Sequence, residues 1–351
     1  MDCPGNEQGL RYGGVTSLSD VAQAAGVHPG TASRALNPQT RHRVSAETAQ
    51  RVQEAADRLG YQPNSVARAL RTRRSHMVAI LIPDLTNPLF PPIVRGVEEV
   101  LAPAGYSAIL VNTDNDEAKE GHLFAELRGR QCDGFIVATA RREHPLLEQA
   151  AAEGVAMVLV NRVTDRRPAS SVTADEAGGV HAAIAHLSSL GHRRIAHLAG
   201  PQNLSTGLIR YRAFVDACDR AGLGPDDRPV VVCDSFSETA GEAAMHRLLR
   251  ESVRPTAVFA SNDLLALGAL DATRAAGLRC PQDLSVVGFN DMPFLSRMSP
   301  ALTTVHVPQR TIGAEAARML LQSLEDPGPP RSLLLGCELV VRASTGPAPR
   351  N

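Results

Sequence analysis

Ten arginines fall between Arg11 and Ser75, set against only Asp20, Glu47, Glu54 and Asp57. That local excess of six positive charges sits in a chain whose net charge is −1. Guanidinium groups at this density suit phosphate neutralisation, the chemistry of a nucleic-acid-binding module. An arginine-rich solvated surface is the plain alternative. Lys119 is the sole lysine, so the choice of arginine at any one site says little and the clustering says more. Catalytic groupings are not apparent: there is no G-x-G-x-x-G, no P-loop and no G-x-S-x-G elbow, and an enzyme is not expected. Cys3, Cys132, Cys218, Cys233, Cys280 and Cys337 show no C-x-x-C spacing, which suits reduced thiols in a cytoplasmic protein. His181, His186 and His197 do not converge with cysteines or carboxylates, so neither a metal nor another cofactor is expected.

The elements that would carry the arginines are short helices. Ser17 and Asp20 have capping-box spacing. Leu18, Val21, Ala22 and Ala25 then form an apolar helical face that Gly26 ends. Pro29 suits the first turn of a second helix running to Leu36, joined to the first by Val27 and His28. A third helix begins near Ser45 and buries Val52, Ala55, Ala56 and Leu59 before Gly60. Residues 62–75 follow as a short basic hinge, PNSVARALRTRR at its centre, too short to hold a helix unless packed against something. Residues 1–15 lack an apolar signal core and read as a disordered arm. No apolar stretch is long enough to span a bilayer, so no membrane partner is expected.

From residue 76 to 346 the chain alternates apolar strands with amphipathic helices. Strands are expected at 78–82, 107–111, 134–138, 157–160, 195–199, 230–233, 257–260 and 284–288. This rhythm predicts parallel sheets covered on both faces, and eight strands with a break near Asn161 suggest two sheets in tandem. Ligands bind beyond the carboxyl ends of such strands, so a cleft between two subdomains is the expected site.

The runs SLSDVAQAAGVHPGTASRALN and VSAETAQRVQEAADRLGYQPNSVARALRT closely resemble the head of the lactose-repressor/galactose-repressor family. The likeness continues through VAILIPDLTNPLF, HLSSLGHRRIAHLAGP, FASNDLLALGAL, LSVVGFNDMPF, LTTVHVPQ and ELVVRAST, in the family's order. It implies a small all-α helix-turn-helix head (16–61) joined by the hinge (62–75) to an α/β core of two parallel-sheet subdomains. That core would be like a periplasmic sugar-binding protein, crossed three times by the chain. The N-subdomain would be 76–160 and 303–332, the C-subdomain 161–302 and 333–346, with a tail at 347–351. The implied function is a transcriptional regulator, a repressor by analogy. It would be a homodimer on near-palindromic double-stranded DNA, switched by a small effector, a sugar or sugar derivative. Rival readings are a sugar-handling enzyme and a secreted sugar-binding protein; the basic head opposes both. The ending STGPAPRN, with no leucine heptad, suggests a dimer and not a tetramer.

By the same resemblance, bases are read from Pro29, Gly30 and Arg34. Arg34 can pair bidentately with guanine, whereas Pro29 and Gly30 offer no side-chain donor. Thr31 and Ser33 are expected at phosphates, Ser33 being equally compatible with plain helix surface, and Ser17 is expected among the DNA-binding residues. Residues 38–43 form a basic loop suited to another backbone contact. In the hinge, Leu70 matches a leucine that wedges into the central base step, with Asn64 and Ala67 beside it in the minor groove. For the effector, Phe90 and Phe236 match ring-stacking positions, and both also fit core packing. Arg210 matches an oxygen-binding arginine, its alternative being an exposed helix residue. Asn262 matches a hydroxyl contact. Asn290, in GFND, stands where many members carry an aspartate, and its amide can donate as well as accept. Asp263 is expected to cap the helix that follows it.

Overall fold

A computed structural model describes residues 16–37, 40–61 and 74–349. The chain divides into two compact units, one ending at Ser75 and the other beginning at His76. Arm residues 1–15, hinge residues 62–73 and, within the basic loop, Pro38 and Gln39 lie outside the described residues.

In the first unit α1 (Leu18–Ala24), α2 (Pro29–Leu36) and α3 (Ala46–Arg58) surround a small core. Both halves of the capping box form: Ser17 Oγ accepts from the Asp20 N–H at 3.3 Å, and the Asp20 carboxylate accepts from the Ser17 N–H at 2.8 Å. The core holds only valine and alanine, Val21, Ala22, Ala25, Ala32, Ala35, Ala49, Val52, Ala55 and Ala56, so three helices can pack close together. Leu59 departs from expectation. It is the residue capping α3, beyond the last helical turn, and stands 37% exposed.

The second unit contains two six-stranded sheets. The first is built from β1 (Met77–Ile82), β2 (Ser107–Asn112), β3 (Gly134–Val137), β4 (Met157–Val160), β5 (Ser170–Ala174) and β11 (Ser332–Leu335). Their order is β11-β5-β4-β3-β1-β2, all parallel. The second comprises β6 (Ile195–Ala199), β7 (Val230–Val232), β8 (Ala257–Ala260), β9 (Ser285–Asn290), β10 (Thr303–His306) and β12 (Glu338–Val340). Here the order is β12-β10-β9-β8-β6-β7, parallel except that β12 runs antiparallel to β10. Strand β1 shows why the sheets are covered on both sides. Val78, Ile80 and Ile82 enter one apolar cluster, while Ala79 and Leu81 enter another on the opposite face.

The subdomain boundaries differ from those expected. Residues 170–174, assigned to the second subdomain, form β5 and pair with β4 in the first sheet. Residues 303–306, assigned to the first, form β10 and pair with β9 in the second. Residues 333–335, assigned to the second, belong to β11 beside β5. Strand pairing, not the break at Asn161, decides where the chain crosses, and it crosses after β5, after β10 and between β11 and β12.

Helices α4 (Phe90–Leu101), α5 (Glu117–Gly129), α6 (Pro145–Ala152) and α11 (Gln309–Glu325) accompany the first sheet. Helices α7 (Glu176–Ser189), α8 (Ser205–Arg220), α9 (Glu238–Leu249) and α10 (Asp263–Ala275) accompany the second. The pair α4/α11 meets backbone to backbone. A Cβ on Gly96 would lie 2.0 Å from the Arg310 carbonyl oxygen, and one on Gly313 would lie 1.9 Å from that of Ile93. Only glycine permits this approach.

Candidate DNA-reading helix and effector cavity

In the first unit α2 buries Ala32 and Ala35 and turns its other side outward. Pro29 and Arg34 are exposed, while Gly30, Thr31 and Ser33 are half-buried. The helix start is fixed by His28, expected only as part of the connection between the helices. His28 Nδ1 accepts from the Gly30 N–H at 3.1 Å, capping the helix. Gly30 is therefore held by backbone geometry as well as offering no side chain. Arg34 forms no ion pair among the described residues, leaving its fork available. Ser17 is exposed, but its hydroxyl already donates to Asp20 at 2.8 Å. Arg51 is not part of a free basic surface: its Nε donates to the Ala25 carbonyl at 3.0 Å, closing the end of α1. Arg41, His42 and Arg43 are exposed on a single 3-10 turn. Asn64, Ala67 and Leu70 lie outside the described residues.

In the second unit Phe90, Arg210, Phe236, Asn262 and Asn290 all line one cavity. Each sits at the carboxyl end of a strand or on the segment that follows, where open α/β sheets bind ligands. Phe90 opens α4 after β1, Asn262 follows β8 and Asn290 ends β9. Phe236 follows β7, and its ring lies over Gly200, where a Cβ would stand 2.3 Å from it. A wider pocket of about 1040 Å³, counting its mouth, shares Asn87, Phe90, Arg162 and Phe236 with the cavity.

The cavity wall is charged. Arg210 is 2% exposed, so it is no surface helix residue. Its guanidinium pairs with Glu176, donates to the Ser261 carbonyl and reaches Asn290 Oδ1 at 3.4 Å. It also lies 3.8 Å from the centre of the Phe289 ring. Asn262, not Asp263, caps α10: Asn262 Oδ1 accepts from the Leu265 N–H at 2.9 Å. Asp263 is fully buried within the first turn and accepts from Thr304 Oγ1 at 2.5 Å and the Met292 N–H at 2.9 Å. Burial pushes its carboxyl up to about 7, against the opposing hydrogen bonds. Asn290 adopts φ 119° and Asp291 φ 57°, a backbone that L residues hold only when surroundings impose it. The Asn290 carbonyl accepts from Gln309 Nε2, which fixes it from α11.

Arg162, which the sequence reading did not single out, lines both pockets. No local motif marks it, and only the turn after β4 directs it inward. The histidines are dispersed. His181 lies 2.9 Å from Asp216, His186 3.0 Å from Thr345, and His197 is buried between Phe214 and Phe259. Burial holds His197 down to about 4, so it is neutral.

A helix-turn-helix head followed by a two-sheet core with a polar cavity defines a DNA-binding regulator with a ligand-binding domain. Residues 17–64 match the model of bacterial regulatory proteins of the lacI family, and residues 184–345 match the periplasmic binding protein-like domain. The HTH-type transcriptional regulator DegA of Bacillus subtilis (strain 168) is 34% identical over 336 residues, covering 95% of this chain and 98% of DegA. A solved complex of the transcriptional regulator CelR with cellobiose is 33% identical at a TM-score of 0.72, covering 94% of this chain and 99% of that one. The lac repressor dimer bound to operator and the anti-inducer ONPF is 29% identical at a TM-score of 0.85, with the same coverage. The chain belongs to the lacI family of bacterial transcriptional regulators. No described helix is long and apolar enough to cross a membrane.

Proposed function

We propose that this chain is a cytoplasmic repressor that binds a near-palindromic operator as a homodimer and is released or tightened by a sugar-like effector in the core cavity. One observation carries the effector half: five side chains from five separate segments meet in a single cavity. Its lining of amides, a hydroxyl, two guanidiniums and two phenyl rings can hold and orient a polyol: rings stack on sugar faces and amides bridge hydroxyls. CelR, which binds cellobiose, and the operator-bound lac repressor dimer support the two halves of the reading.

Arg34 reads a guanine while Thr31 and Ser33 hold phosphates. Residues 62–75 act as the hinge, with Asn64 and Ala67 in the minor groove and Leu70 as the wedge that kinks it. Hinge folding couples the core to DNA, because a segment this short takes up helix only on a partner surface. Selection of bound fragments from random duplex DNA tests the reading. An inverted repeat spanning roughly one and a half to two helical turns, with a flexible CG step at its centre, is expected. Recovery of fragments with no symmetric motif would sink it. A sugar found to shift the melting temperature should also change the mobility of the operator complex.

A further inference from the structure

A second cavity, of about 280 Å³, lies in the larger unit where the chain crosses between the sheets. Its walls come from both subdomains. Thr173 on β5 and Leu333 and Leu334 on β11 belong to the first, Glu176 and Ala177 on α7 and Ile209 on α8 to the second. Two crossings border it. The Asp175 N–H, between β5 and α7, donates to the Leu335 carbonyl at 2.7 Å, where β11 ends. Ser205 Oγ on α8 ties the walls together by accepting from the Val163 N–H at 3.0 Å. A space enclosed by two subdomains changes size when they turn against each other, so a ligand that fills it favours one arrangement.

Size and lining suit a small molecule. The volume is close to the lower end of ordinary ligand sites, about 300–1,000 Å³. Ile209 and Leu334, 37% and 62% exposed, offer apolar surface. Two buried polar groups interrupt it. Glu176 is 4% exposed and pairs with Arg210 through Oε2, but its Oε1 is buried and makes no hydrogen bond among the described residues. Thr206, 3% exposed, lines the same cavity, and its hydroxyl makes none either. Buried polar atoms without partners cost free energy, and two on one wall call for a ligand with a hydrogen bond to give. The charges leave no place for an ion. Arg210 balances Glu176, and the remaining charged lining residues are one of each sign, Asp175 and Arg167.

We propose that this cavity is a second ligand site, for a small neutral ring bearing a hydroxyl, a phenol or a cyclic alcohol. The ring lies against Ile209, Leu333 and Leu334, and the hydroxyl donates to Glu176 Oε1 and can accept from Thr206. Asn161 and Thr206 line this cavity and the effector cavity alike, and Glu176 holds Arg210. On the effector reading, which this link rests on, the two sites communicate through one shared wall.

Calorimetry on the full chain, without DNA, tests the site with phenol, cyclohexanol, toluene, benzoate and benzylamine. Phenol and cyclohexanol should bind, and toluene should bind roughly 2- to 10-fold more weakly than phenol, the worth of one neutral hydrogen bond. Benzoate and benzylamine should also bind more weakly than phenol. Ala177→Leu on α7 and Ile209→Phe on α8 each fill part of the space, and each should abolish phenol binding while keeping a cooperative melt. Phenol bound equally by both filled variants would lie elsewhere and overturn the site. So would no binding to wild type, or a charged probe or toluene held as tightly as phenol. For the link, phenol should shift the midpoint of binding to the selected operator in wild type and in neither filled variant. An unmoved midpoint with phenol bound would overturn the link and leave the site. A chain that binds no operator would sink the regulator reading, and calorimetry would still decide the site.

Discussion

The base-reading role proposed for Arg34 rests on what surrounds it. Ala32 and Ala35 anchor α2 from one side, and the His28 cap fixes where the helix begins. The guanidinium is thereby offered on a rigid element. Arg34→Ala should cost about 1–3 kcal/mol per half-site on the operator and relax base preference at one symmetric pair of positions. Competition shifts with operator variants would show it, and an equal loss on random DNA would mean that Arg34 touches only phosphate. Asp263 allows a second test at this scale. Its folded-state pKa of about 7 lies above the ordinary aspartate value of 3.8, so the native state holds a proton that the unfolded chain releases. Its contribution is therefore fully present below about pH 4 and lost as pH rises towards 7. The stability of Asp263→Asn relative to wild type should climb across that window and then level off. A pH-independent difference in denaturant midpoints would refute the assignment. Residue identity made Arg210 and the asparagines legible through the family likeness. Arg162 and His28 were not, because their roles arise from a turn at Asn161 and from the start of α2, which no single residue type announces.

At the scale of elements, apolar runs disclosed eight strands, and all eight form. The four others escaped for physical reasons. SSVTA in β5 and TTVH in β10 are polar strands whose identity comes from neighbours already in place. β11 and β12 are short edge strands, with Leu334 in β11 62% exposed. The subdomain boundaries moved with them, since each missed strand lies next to a crossing. Helix contacts were equally hidden, because a glycine inside a helix reads as a weakness until its neighbour is known. Gly96→Ala should destabilise the core by about 1–3 kcal/mol or more, its Cβ colliding with the backbone of α11. Gly121→Ala on α5, with open space around the added carbon, should instead stabilise by roughly 0.5–1 kcal/mol. Urea unfolding of both variants is the measurement, and a Gly96→Ala chain as stable as wild type would show that α4 and α11 do not meet at Gly96.

At the scale of the whole molecule, the question is how much one head can specify. If it reads a guanine as proposed, one exposed arginine on an eight-residue helix would supply about 1–3 kcal/mol of base discrimination. Specific over non-specific binding typically needs about 4–10 kcal/mol, so a single head falls short and two related by symmetry come within the lower part of that range. The head is too small to hold two chains together, with a core of valine and alanine already closed among its own three helices. The larger unit has surface to spare. Parallel strands under helices are buried on both faces, yet the edge strands β2 and β7 leave Leu110 41% and Val232 56% exposed. Covering those edges with a second copy would bury both. Light scattering at micromolar concentration should therefore give the mass of two chains without DNA. The double variant Leu110→Glu/Val232→Glu should fall towards one chain and, with paired heads lost, bind the full inverted repeat no better than a half-site. A wild-type mass of one chain would remove the core as the source of the dimer, and an undissociated double variant would place the interface on another face.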